Sequence, residues 1–264
     1  MTGKEYRMGR LFNPRDKRTV ILPVDHGIAM GHLEGLRDPV STLRHLVGVG
    51  ADAVLLNPGL SHAASDVFDH RGAPARILTV DNFFYDSHSF IQDRVGWAQK
   101  AVIDGYDGIK LLLPWDGTIR ERMAATKLVA EFVKESDEWQ IPVIVEPTLL
   151  RTHQRSDDQL SDAVRIAFEL GADILKTPCP SSLDVLHEWV QSFKVPIVLL
   201  GGPKGSADSE LLRSVSEAIR IGAKGIAIGR NVWQRPLAEA VEFFSQLVQI
   251  VHAEESRAAC ASVK

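Results

Sequence analysis

Gly171-Ala-Asp-Ile-Leu-Lys-Thr-Pro-Cys-Pro180 sets a glycine ahead of a short apolar run that carries a lysine, and the same junction recurs along the chain. It returns as Gly50-Ala-Asp-Ala-Val-Leu-Leu56, Gly105-Tyr-Asp-Gly-Ile-Lys-Leu111 and Gly222-Ala-Lys-Gly-Ile-Ala-Ile228. Each glycine stands where a helix closes, a position that often needs positive φ, and a strand begins about two residues later. A second junction, Ile141-Pro-Val-Ile-Val145 and Val195-Pro-Ile-Val-Leu-Leu200, starts strands on a proline, whose missing N–H is tolerated at a strand's first residues. With Thr19–Val24 and Arg76–Asp81, these junctions predict strands near 19–24, 52–57, 76–81, 107–113, 141–146, 172–176, 195–200 and 224–228.

Helical patterns separate the strands, at 88–104, 118–136, 157–170, 181–193 and 208–221, with an earlier helix from Asp38 or Ser41 and a last one at 235–252. Continuous apolar strands alternating with helices indicate a parallel sheet covered by helices. Eight such units in 264 residues predict a single-domain (β/α)8 TIM barrel of the α/β class. An open doubly wound sheet is the competing architecture, but no Gly-x-Gly-x-x-Gly follows the first strand. Residues 1–18 are expected to pack on the barrel, 19–252 to form it, and 253–264 to be a mobile tail.

The composition is that of an ordinary globular chain, 45% hydrophobic and 24% charged. A formal net charge of -4 without charge runs predicts neither a nucleic-acid footprint nor an anionic-membrane surface. Two cysteines, Cys179 and Cys260, are too few for a disulfide framework, and no apolar run has the length of a signal or a membrane span. A cytoplasmic location is the expectation.

In a barrel of this kind the site is built at the C-terminal ends of the strands. Those ends carry Asp25 and His26, Asp81, Lys110, Glu146, Lys176, Gly201-Gly202 with Lys204, and Gly229-Arg230-Asn231. Ile174 and Lys176 share one strand face, so the ammonium points wherever Ile174 points. Any one of these residues could be a loop cap or half of a buried ion pair. The four ionisable side chains Lys176, Lys110, Glu146 and Asp25 at one barrel mouth are costly to bury unless they are paired or chemically employed.

An ordinary lysine amine is a free base in well under about 0.1% of molecules at pH 7, and lowering its pKa by about three units takes roughly 4 kcal/mol. Burial and a neighbouring cation such as Lys110 can supply that, so Lys176 is the candidate Schiff-base nucleophile and Glu146 the candidate acid/base. Gly201, Gly202, Gly229 and Arg230, with His26 beside them, are candidate phosphate contacts in the loops after strands seven and eight. The nine histidines are scattered with no pair at ligand spacing, so neither a metal nor any other cofactor is expected.

At these residues the chain resembles the class I, Schiff-base aldolases: the archaeal-type fructose-bisphosphate, tagatose-bisphosphate and deoxyribose-phosphate aldolases. The similarity rests on Val24-Asp25-His26-Gly27, Gly201-Gly202 and Gly229-Arg230-Asn231-Val232-Trp233-Gln234, and runs from about Arg10 to about Ala240. It implies that Lys176 forms the Schiff base, that Asp25 lines the site and that the glycine loops hold phosphate. It further implies cleavage of a phosphorylated ketose to dihydroxyacetone phosphate and an aldehyde, by a homo-oligomer. Archaeal-type members usually have tyrosine before proline at the end of strand five. Here Glu146-Pro147, with Lys110-Leu-Leu-Leu113, is instead similar to the tagatose-bisphosphate and sulfofructose-phosphate aldolases. A transaldolase- or thiolase-like transferase and a non-catalytic sugar-phosphate-binding barrel are the alternatives on the same scaffold.

Overall fold

The computed structural model describes residues 1–86, 90–151, 156–201 and 207–253. Eight parallel strands close into a barrel in the order β1-β10-β9-β8-β7-β6-β3-β2. They are β1 (Thr19–Pro23), β2 (Ala53–Leu56), β3 (Ala75–Thr79), β6 (Gly108–Pro114), β7 (Val143–Thr148), β8 (Ile174–Pro178), β9 (Ile197–Leu200) and β10 (Gly225–Ala227). Each of the eight predicted strands is present, and the chain is a (β/α)8 barrel.

The repeat that gives the barrel away also fastens it. Asp52, Asp107 and Asp173 each stand just ahead of a strand and accept a backbone N–H from the preceding barrel strand: Val20 at 2.7 Å, Arg76 at 3.0 Å and Val143 at 2.8 Å. A hydrogen bond to a charged partner contributes about 1.5–3 kcal/mol. Each carboxylate also meets a basic side chain from near one end of the chain. Lys4 lies 3.1 Å from Asp173 and Arg10 2.7 Å from Asp107, while His252 reaches Asp52 at 3.0 Å and Asp16 at 2.7 Å. At the fourth junction Lys224 takes the aspartate's place and donates its N–H to the Ile197 carbonyl at 2.7 Å, and at the seam between β10 and β1 Thr19 N–H donates to the Lys224 carbonyl at 2.9 Å. Gly225 is required there: φ is +154°, and a Cβ would stand 2.0 Å from the Thr19 carbonyl oxygen.

Two apolar layers follow from strand alternation. Residues such as Val145, Leu175 and Leu199 face the helices, whereas Ile77, Ile144, Ile174 and Val198 fill the barrel interior. The interior cluster is completed at the N-terminal floor by Leu11 and Phe12, at the end of α1 (Gly3–Leu11). A Cβ on Gly108 would come 3.5 Å from Leu11 Cδ1, so glycine leaves the room that Leu11 occupies. Burying Leu11 and Phe12 contributes about 1.5–3 kcal/mol each. The helix is capped by Thr2, whose hydroxyl accepts from Glu5 N–H while Glu5 reaches back to Thr2 N–H.

The outer ring is α3 (Pro39–Val47), α5 (Ala98–Ile103), α6 (Ile119–Trp139), α7 (Asp157–Glu169), α8 (Leu183–Phe193), α9 (Asp208–Ile221) and α11 (Leu237–His252), with short helices α2 (Gly27–Met30), α4 (Pro58–Ala63) and α10 (Arg230–Trp233). One expectation fails. The helix expected over 88–104 is only α5. Ahead of it, β4 (Asp81–Tyr85) and β5 (Phe90–Arg94) pair as an antiparallel hairpin. Phe83 stacks on Phe90 across this pair, with centroids 5.9 Å apart, and such aromatic pairs favour a pleated surface. Asp81 accordingly opens the hairpin rather than ending the third strand. Among the described residues, no helix is long and apolar enough to cross a membrane.

Candidate active site

Because Ile174 lies in the interior cluster, Lys176 two residues on also points inward, and the same alternation carries Glu146 inward after Ile144 and Thr79 after Ile77. Strand register sets Lys110 beside Thr79. The result is one contact set at the C-terminal end of the barrel. Lys176 Nζ donates to Glu146 Oε2 at 2.7 Å, and Lys110 Nζ lies 2.8 Å from that same oxygen. All three are buried, with exposures of 6% for Lys176, 9% for Glu146 and 5% for Lys110.

Burial opposes charge on the Glu146 carboxyl, but the two ammonium groups outweigh it and hold its pKa down at about 2. For Lys110 burial likewise works against the cation. Glu146, Asp81 and Asp25 overcome it, and the pKa lies above the ordinary lysine value. A carboxylate held between two cations is therefore the ground state of the site.

Asp25 is buried at the end of β1, where Thr79 Oγ1 donates to its Oδ2 at 2.6 Å and Asn57 Nδ2 to its backbone carbonyl at 2.8 Å. His26 Nδ1 stands 3.5 Å from Asp25 Oδ1, and the ring meets Trp233 edge-on with centroids 5.3 Å apart. Burial pushes the His26 pKa down, with Lys176 and Arg230 acting in the same direction, which favours a neutral imidazole. Trp233 is itself fixed by donating Nε1–H to the Pro23 carbonyl at 3.1 Å.

Gly229 is packed into this corner: a Cβ would stand 2.7 Å from the Pro23 carbonyl oxygen and 2.9 Å from Trp233 Nε1. Gly201 is held similarly, with Asn231 Nδ2 donating to its carbonyl at 2.9 Å and Ile228 2.9 Å from where a Cβ would be. Gly201 at the end of β9 and the residues after β10 thus meet beside the end of β1, and Arg230 is close enough for its charge to act on His26. Gly202 and Lys204 lie outside the described residues.

Two participants, Thr79 and Gln92, were not singled out by their sequence positions. Thr79 anchors Asp25, and Gln92 reaches from the hairpin to Asp81 Oδ2 at 2.7 Å and to the Leu112 carbonyl at 2.9 Å. Asp81, noted only as a strand end, also accepts the Leu112 N–H at 3.0 Å. Among the described residues, no group of three or more His, Cys, Asp and Glu side chains is arranged to hold a metal ion. A buried amine against a carboxylate, next to a second fixed cation and glycine-rich loops, is suited to proton transfer at an amine nucleophile.

Comparison with known proteins agrees in extent with this geometry. A 2-amino-3,7-dideoxy-D-threo-hept-6-ulosonate synthase of Halobacterium salinarum is 31% identical over 236 residues, 88% of this chain and 86% of that one. The crystal structure of an archaeal fructose 1,6-bisphosphate aldolase superposes with a TM-score of 0.80 at 25% identity, covering 94% of this chain and 98% of that one. A Schiff-base-forming fructose-1,6-bisphosphate aldolase studied as reaction intermediates gives 0.79 at 25% identity, with 94% and 100% covered. The model of the DeoC/LacD family of aldolases matches residues 19–235, every strand of the barrel included, and the chain belongs to that family.

Proposed function

We propose that this aldolase works through a Schiff base on Lys176, cleaving a phosphorylated ketose reversibly to dihydroxyacetone phosphate and an aldehyde. The observation that carries the reading is the 2.7 Å contact between Lys176 Nζ and Glu146 Oε2. It gives the ammonium proton a direct acceptor, and the neutral amine can then attack the ketone carbonyl. The carbinolamine loses water with a proton returned by Glu146, leaving an iminium and an ionised carboxylate. Glu146 next takes the proton of the hydroxyl on the carbon beyond the breaking bond. That oxygen's electron pair becomes the aldehyde carbonyl, and the carbon–carbon pair flows into the iminium to give an enamine.

Lys110 stays cationic throughout and orients Glu146. Asp25, fixed by Thr79, orients the substrate hydroxyls. Gly201, Gly202, Gly229, Arg230 and His26 hold the phosphate, with backbone N–H groups and one guanidinium supplying the donors. Support for the phosphate end is the meeting of Gly201 with the residues after β10 beside β1. Incubation with dihydroxyacetone phosphate and borohydride is expected to attach the three-carbon fragment to Lys176, and Lys176→Ala to abolish both adduct and turnover. A folded enzyme that gives no adduct would sink the mechanism.

A second reading, transfer of the enamine fragment to another acceptor, is favoured by the Halobacterium salinarum relative, which is named as a synthase. Product analysis with and without candidate acceptor aldehydes separates the two.

A further inference from the structure

Asp81 is 2% exposed, and only one of its oxygens is used. Oδ2 accepts from Leu112 N–H and Gln92 Nε2, whereas Oδ1 is buried with no hydrogen-bond partner among the described residues. A buried carboxylate oxygen left unmatched is costly, so it persists where another state of the molecule gives it a partner. The charge nearest in kind is Lys110. Asp81 follows Thr79, the register neighbour of Lys110, by two residues; burial pushes its pKa up, the Lys110 charge opposes that, and Asp81 in turn favours the Lys110 cation.

Lys110 is therefore flanked by two carboxylates, one that it contacts and one that it does not. The mechanism proposed above, on which this inference rests, puts a proton on Glu146 at the moment the carbon–carbon bond breaks. That proton removes the negative charge 2.8 Å from a buried ammonium. A buried cation stripped of its partner is strongly unfavourable.

We propose that Asp81 is a positioning residue for the acid/base: its unused Oδ1 receives the Lys110 ammonium when Glu146 becomes protonated, so that Lys110 alternates between the two carboxylates during turnover. Proton uptake by Glu146 then strands no charge. The groups facing Glu146 in this exchange are Lys110 on β6, Lys176 on β8, Asp81 on β4, and Asp25 and His26 after β1.

The direct test is the crystal structure of Glu146→Gln, whose neutral amide stands for the protonated acid. Lys110 Nζ is expected within hydrogen-bond distance of Asp81 Oδ1. Lys110 still on the residue-146 amide, with Oδ1 unmatched, overturns the proposal. The kinetic test is Asp81→Asn, which keeps the size and an acceptor for Leu112 but not the charge. Kcat for cleavage should fall roughly 10- to 100-fold with KM changed less than about threefold, and borohydride should still trap dihydroxyacetone phosphate on Lys176. Protonating Glu146 becomes harder without Asp81, so the loss is expected in kcat rather than in KM.

In a Lys110→Met background, Asp81→Asn should cost less in kcat than it does in the wild type. Gln92→Leu, which frees Oδ2 from the hairpin, should lower stability and reduce kcat less than Asp81→Asn does. A kcat unmoved by Asp81→Asn, or lowered equally by Gln92→Leu, makes Asp81 an anchor for the hairpin only. A wild-type enzyme that gives no borohydride adduct rejects the Schiff-base reading instead, and is distinguishable from either result.

Discussion

Replacing Glu146 by glutamine tests the electrostatics of the barrel mouth before any chemistry is invoked. The carboxylate is the contact partner of two buried ammonium groups, at 2.7 and 2.8 Å. Removing one member of a buried charge set costs about 3–5 kcal/mol, because the remaining charges stay desolvated without compensation. The pKa gives a figure of the same size. A carboxyl brought from its usual 4.5 to about 2 by folding corresponds to about 3 kcal/mol at 1.36 kcal/mol per unit. With Asp81 Oδ1 available to Lys110, the lower end is expected, and for a domain of this size about 3 kcal/mol lowers Tm by about 6–12 °C.

The pH dependence has a definite sign. The folded pKa of Glu146 is depressed, so its contribution is fully present above about 4.5 and disappears as pH falls through about 2. Thermal melts of wild type and Glu146→Gln should therefore differ most at neutral pH and converge toward pH 2. Equal melting temperatures at pH 7 would refute the picture of a carboxylate holding two buried cations.

Two further perturbations probe other parts of the barrel. His252 bridges Asp16 and Asp52, and hydrogen bonds to these carboxylates raise its pKa above the ordinary histidine value despite opposing burial. The stabilisation it gives is complete below about pH 6.5 and is lost as pH rises through the raised folded value. Melting temperature should decline across that interval, and His252→Gln should flatten the decline; an identical slope in the variant would remove His252 as its source. Gly229→Ala puts a methyl group 2.7 Å from the Pro23 carbonyl and 2.9 Å from Trp233 Nε1, displacing a buried hydrogen bond. A loss of about 1–3 kcal/mol is expected in denaturant titrations, with weaker binding of inorganic phosphate measured by calorimetry; unchanged values of both would detach Gly229 from the phosphate corner.

The barrel is legible in the chain because its signals are local. A glycine closing each helix and an apolar run starting about two residues later depend on no distant partner, and four copies plus two prolines mark six of the eight strands. The inward aim of Lys176 was equally readable, since strand alternation ties it to Ile174. The hairpin was not. Phe83, Phe84, Phe90 and Ile91 mix with Asn82, Gln92 and Asp93 over runs of five residues, too short for a two-residue period to stand out from a helical one, and the pairing is settled by contact across the turn. Thr79 and Gln92 were hidden for a related reason. Their partners, Asp25 and Asp81, lie 54 and 11 residues away, and only strand pairing brings them within reach.

The seam between β1 and β10 has a consequence for how the protein is made. Thr19 leaves the ribosome first, and its partner Gly225 follows roughly 200 residues later, a delay of about 10–40 s at ordinary elongation rates. Over that interval β1 has an unpaired edge, the kind of surface on which nascent chains associate. Asp52, Asp107 and Asp173 each link a strand to the one before it, so neighbouring units can dock as they emerge, whereas the final joint waits for the backbone hydrogen bonds at Gly225 and the Trp233 contact with Pro23. Until that joint closes, Lys110, Glu146 and Lys176 stand on an open sheet in contact with water. The dehydration that sets their chemistry is completed in the last moments of biogenesis, by a strand that contributes none of the three.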